Sequence, residues 1–100
     1  MKVDLVCNGN AAVLRVIGTL NLHSLKEFDQ QTQSLDLNGL QTVTLDLQEL
    51  DHIDSSGVSG IIQLHKHLMN LNISLQVGNI SNRVKRLFDQ MRLFEIIPKV

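Results

Sequence analysis

The sequence predicts a small α/β domain with a mixed sheet, and three observations predict it. Period-2 apolar stretches alternate with amphipathic stretches at helical spacing. Asn and Gly clusters fall between them as turn signals. The 100 residues suffice for one core but not two. Residues 1–100 therefore read as one domain in the order β-β-α-β-α-β-α. Strands separated by helices favour parallel crossovers, and the initial hairpin forms an antiparallel edge. The expected architecture is a four- to five-stranded sheet with helices packed on one face.

Each element has a local reason. Residues 3–7 form a first strand, and Asn8-Gly9-Asn10 turns the chain back into an apolar, β-branched second strand over 11–17. Gly18-Thr19-Leu20-Asn21 closes it. Ser24 with Glu27 reads as a capping box opening a helix over 25–37, which Asn38-Gly39 ends. Thr42–Leu47 alternates as a third strand, with Val43, Leu45 and Leu47 on one face. An acidic turn follows. A second helix, 56–70, carries Val58, Ile61, Ile62, His65, Leu68 and Met69 at helical spacing, widened by Leu64 and Leu71. Ile73–Val77 is a fourth strand. Ser81 caps a last helix over 82–90 with Val84, Leu87, Phe88 and Met91 inward, and Phe94, Ile96 and Ile97 form an apolar tail.

Composition narrows the function classes. With three Phe and no Trp or Tyr, the core is aliphatic and no aromatic platform exists for base stacking. Net charge is −1, but residues 1–80 carry −4 and residues 81–100 carry +3, through Arg83, Lys85, Arg86, Arg92 and Lys99. A solvated last helix accounts for that basic end. Without a helix-turn-helix pattern or net positive charge, nucleic acid is not an expected partner. Cys7 is the single cysteine, so no internal disulfide and no Cys-based zinc site is possible; it is expected to pack as a small buried residue. No stretch approaches a membrane span and the N-terminus has no signal-like apolar run, so a cytoplasmic protein without membrane insertion is expected.

The densest candidate site is Asp54-Ser55-Ser56-Gly57, where a strand and an acidic turn run into the second helix. Unpaired N–H groups and the helix dipole make that position fit either a capping side chain or a phosphate. A cap alone needs fewer hydroxyls than this segment holds. Gly57 costs roughly 1 kcal/mol against Ala in a helix, which suggests that something approaches closely there. Phosphate on Ser55 would gain the helix field but meet Asp54, Asp51 and Glu49. Catalysis and metal binding fit poorly. His52, Asp54 and Ser55 are too close in sequence for a Ser-His-Asp line. His65 and His67 point about 200° apart on a helix, and His23 with His52 lacks carboxylate support. No phosphate-cradling Gly-rich motif is present.

Three segments together carry a family resemblance: Val16-Ile17-Gly18-Thr19-Leu20-Asn21; Leu45-Asp46-Leu47 through Asp54-Ser55-Ser56-Gly57-Val58; and Ile80–Phe88 with Leu93–Ile97. The chain resembles the STAS domain family, and within it the stand-alone bacterial anti-anti-sigma factors (anti-sigma factor antagonists). The resemblance runs from about Val13 to Ile97 and implies a binding module rather than an enzyme. Its implied partners are a serine kinase of the histidine-kinase-like ATPase fold, acting as anti-sigma factor, and a PP2C-type phosphatase. The unmodified form binds, and phosphorylation ends binding. Carried over, the acceptor is Ser55, with Ser56 as second choice and Asp54 and Gly57 beside it. The implied contact face comprises Asn21, His23, Asp51, His52, Ser56, Val58 and Ser59. No cofactor, metal or small-molecule substrate is implied. Where the family's first turn ends in Asp, this chain has Asn21, which keeps the turn geometry and loses the charge. The resemblance implies an output in sigma-factor control or in another process such as polysaccharide or biofilm regulation. The alternative is a non-catalytic subunit docking on a transporter of the lipid-transport ATPase type.

Overall fold

A computed structural model describes residues 1–100. Strands β1 (Lys2–Asn8) and β2 (Ala11–Leu20) form the antiparallel hairpin. Helix α1 (Leu25–Gln33), strands β3 (Thr42–Asp46) and β4 (Leu50–Ile53), helix α2 (Ser55–Asn70), strand β5 (Ser74–Val77) and helix α3 (Asn82–Gln90) follow, and Leu93–Glu95 makes a 3-10 turn. The sheet runs β1-β2-β3-β5, with β4 parallel to the end of β2. β3 is parallel to both β2 and β5. The mixed sheet, the edge hairpin and the three helices are as the sequence predicts.

One strand is additional. Residues 50–53, expected within an acidic turn, form β4 because β2 does not stop at Ile17. It continues through Gly18 to Leu20 and offers a second edge to pair with. Gly18 lies at φ 100°, where L side chains are strained, and donates its N–H to Glu49 O at 3.1 Å. The register shifts there, so the glycine redirects β2 from its pairing with β3 to its pairing with β4.

The core follows from alternation. Ala12, Leu14 and Val16 of β2, Val43 and Leu45 of β3, and Leu75 and Val77 of β5 are buried, as is Leu47 just beyond β3. They meet Phe28 of α1, Val58, Ile61, Leu64 and Leu68 of α2, and Val84 and Phe88 of α3 in one cluster. Several expectations are corrected at the rim. Cys7 is exposed near the end of the edge strand β1. Met69, Leu71 and Met91 face outward, since each sits at the last turn or cap of its helix. Helix α1 ends at Gln33 rather than 37. Ser24 does not form a capping box: its hydroxyl donates to Thr19 O at 2.8 Å and accepts from Asn21 N–H, while Glu27 accepts from Gln31 instead.

Candidate functional site

The candidate residues gather around the end of β2. Leu20 is fully buried, and its carbonyl accepts from Asp54 N–H at 3.3 Å. Ile53 pairs directly with Leu20 and His52 with Thr19. A Cβ on Gly57 would lie 2.3 Å from Leu20 O and 2.7 Å from Ile53 Cγ1. The close approach that Gly57 permits is thus the packing of α2 on the β2 main chain, and no ligand is needed to explain it. The Asn21 turn and the Asp54 loop, far apart in sequence, become neighbours through this one residue.

The turn after β2 is tightly tied. Asn21 Oδ1 accepts from His23 N–H at 3.0 Å and Ser24 N–H at 3.1 Å, and Asn21 N–H donates to Ser24 Oγ. A neutral amide oxygen therefore does the work expected of a carboxylate here. The turn projects Leu22, which is 66% exposed. Sequence reasoning missed this residue: one apolar position in a polar turn has no periodic partner to mark it. His23 is exposed beside it.

At the start of α2 the two readings of the serines separate. Asp54 is the cap: its Oδ1 accepts from Gly57 N–H at 2.9 Å, with extended backbone at Asp54. Ser55 begins the helix, exposed, and neither its hydroxyl nor that of half-buried Ser56 takes part in a hydrogen bond within the chain. Ser59, one turn on, donates to Ser55 O at 3.2 Å and is exposed. Val58 is completely buried against the core, so it is removed from the expected contact face; α2 must turn one residue of its first turn inward to pack. His52 and Asp51 are exposed on β4.

Charge around the site is uneven. Arg15 forms ion pairs with Glu49 and, at 3.8 Å, with Asp4. Asp51 and Asp54 have no ion-pair partner. Arg83 of α3 reaches over to donate to Asp51 O. The largest cleft of the molecule, about 800 Å³, lies elsewhere: Thr44, Asp46, Gln76, Asn79 and Lys85 line it on the open face of the sheet. Beside the site there is only a small groove of about 200 Å³, between His52 and Ile53 on one side and Arg83, Val84 and Leu87 on the other. No group of three or more His, Cys, Asp or Glu is placed to hold a metal ion, and no helix is long and apolar enough to cross a membrane.

Comparison with known proteins gives this arrangement a context. The chain is similar to Sulfate transporter 2.2 of Arabidopsis thaliana, 29% identical over 93 residues, which cover 93% of this chain and 14% of that protein. It thus spans a small fraction of the length of that curated relative. Among solved structures it is similar to a putative anti-sigma factor antagonist from Thermotoga maritima, with TM-score 0.84, 18% identity, and 97% of this chain and 84% of that one covered. It is also similar to the Bacillus cell fate determinant SpoIIAA in its phosphorylated form, with TM-score 0.68, 19% identity, and coverage of 99% and 91%. At such identities the structural likeness speaks for the fold. The STAS domain model matches residues 2–100, taking in the β2 turn, the β4–α2 junction and α3 in a single span, and so the chain belongs to the STAS domain family.

Proposed function

We propose that this chain is a non-catalytic partner-switching regulator controlled by phosphorylation of Ser55. The observation that carries the reading is the free Ser55 hydroxyl: it is exposed at a helix start whose capping is already done by Asp54. Half-buried Ser56 is the poorer acceptor for a kinase. The likeness to anti-sigma factor antagonists, among them SpoIIAA, which is solved in a phosphorylated form, supports the same reading.

The mechanism is local. A phosphoserine brings a charge of about −1.5 to −2 and three acceptor oxygens. The helix dipole favours it, so the fold tolerates the group. Asp51 and Asp54 have no ion-pair partner, so the added charge deepens an acidic patch on the contact face. A partner fitted to the unmodified face then meets repulsion and bulk. The proposed face combines Leu22 and His23 of the turn with Asp51, His52, Ser55 and Ser59. The proposed partners are a serine kinase of the histidine-kinase-like ATPase fold and a PP2C-type phosphatase, in a cytoplasmic pathway of sigma-factor, polysaccharide or biofilm control.

The test is capture from lysate with the wild type, Ser55→Ala and Ser55→Asp as baits. The first two should retain one common protein and the third should lose it. Equal capture by all three would reduce Ser55 to a surface residue. A second reading, a STAS unit docked permanently on a transporter (including the lipid-transport ATPase type), draws on the likeness to the sulfate transporter. It predicts capture of a membrane protein that is indifferent to position 55.

A further inference from the structure

We propose that Arg83 is a positioning residue for the Ser55 site, closing the outer edge of β4 and so fixing the segment that ends in Asp54-Ser55. β4 has four residues and one strand neighbour, β2, to which it is joined through a shifted register. A short strand with an unpaired edge frays readily. Arg83 Nη2 donates to Asp51 O, and this is the one side-chain hydrogen bond that the β4 backbone receives.

The donor is well anchored. Arg83 lies in the first turn of α3, where Ser81 Oγ accepts from Val84 N–H at 3.3 Å and Val84 is buried. His52, Ile53, Val84 and Leu87 line a narrow groove with it between α3 and β4. From Asp51 the strand continues to Ile53, whose side chain lies under Gly57. A physical chain therefore runs from α3 through Arg83, Asp51 and Ile53 to the start of α2.

The residue type fits the task. A guanidinium carries five donors in a rigid plane, and a bond from a charged donor is stronger than one between neutral groups. The Asp51 and Asp54 carboxylates, which have no ion-pair partner, supply a negative field that favours a cation at this edge. Displacement of α3 would alter how Ser55 is presented. The functional meaning of the contact rests on Ser55 being the modified residue; the contact itself does not.

The experiment compares amide hydrogen exchange, resolved by residue, in full-length wild type, Arg83→Gln and Arg83→Lys. The Gln variant should exchange at least tenfold faster at His52 and Asp54, with β1 and β3 unchanged. The Lys variant, which keeps a charged donor, should recover most of the protection. No change at β4 in Arg83→Gln would overturn the proposal. So would equal acceleration across all strands, which reports lost global stability. No kinase or partner enters the measurement, so its failure and the failure of the phosphorylation reading are distinguishable.

Discussion

Two helix starts in this molecule use serine in opposite ways. At α3, Ser81 is itself the cap, and its hydroxyl is spent on Val84 N–H. At α2, Asp54 takes the capping role, and the serine that follows is left exposed with its hydroxyl unbonded. The α1 start gives a third variant, in which Ser24 is consumed by the backbone of the preceding turn. A serine near a helix start is thus a weak signal by itself. What matters is whether another side chain has already met the helix N–H groups. Only at α2 does the chain keep a serine hydroxyl in reserve.

The comparison can be broken experimentally. The largest expected effect is on the packing that sets the α2 start. Gly57→Ala should cost about 3 kcal/mol in a denaturant titration, because its Cβ meets main chain that cannot yield. Gly60→Ala should stay within about 1 kcal/mol, because the flexible tip of Leu25 can move and Ala regains helix propensity. Next comes the exposed turn. Leu22→Ser should weaken partner capture by about 1–2 kcal/mol, as loss of an apolar contact anchor does, with the thermal midpoint unchanged. Retained capture would move the contact face away from this turn.

Smaller effects sharpen the contrast between the serines. Asp54→Ala and Ser81→Ala should each lose about 1 kcal/mol of stability, as removed caps do. Asn21→Ala should lose about as much through its two backbone bonds, while Asn21→Asp should keep the turn, since a carboxylate oxygen accepts equally well. Smallest of all, Ser55→Ala should change stability by less than about 0.5 kcal/mol. A loss at Ser55 equal to that at Ser81 would make the two positions alike and remove the structural case for a reserved hydroxyl.

Much of this was legible in the sequence. The hairpin, the Val43-Leu45-Leu47 face, and the starts of α2 and α3 carry strong local signals, namely alternation, helical spacing and caps. β4 did not, because Leu50-Asp51-His52-Ile53 has polar residues inside and exists as a strand through its long-range pairing with β2. The Ser24 box failed for a related reason: its hydroxyl answered a neighbouring carbonyl that sequence spacing cannot reveal. Within the site, Asp54, Ser55 and Asn21 came from motif and resemblance. Val58 entered the contact face through the resemblance, whereas its helical spacing had put it on the apolar stripe, where it is buried. Arg83 looked like one charge among several on a basic helix until its contact with Asp51 was seen.

The meeting of Leu20 with both the turn and the helix start has a consequence for specificity. Its carbonyl oxygen, rather than its side chain, receives Asp54 and faces Gly57. The spacing between Ser55 and the turn is therefore written in main-chain atoms, and side-chain changes at Leu22 or His23 leave it standing. Leu22 and His23 extend from that fixed rail into open solvent. Under the proposed reading, exchange of those two side chains would change the choice of partner without moving Ser55.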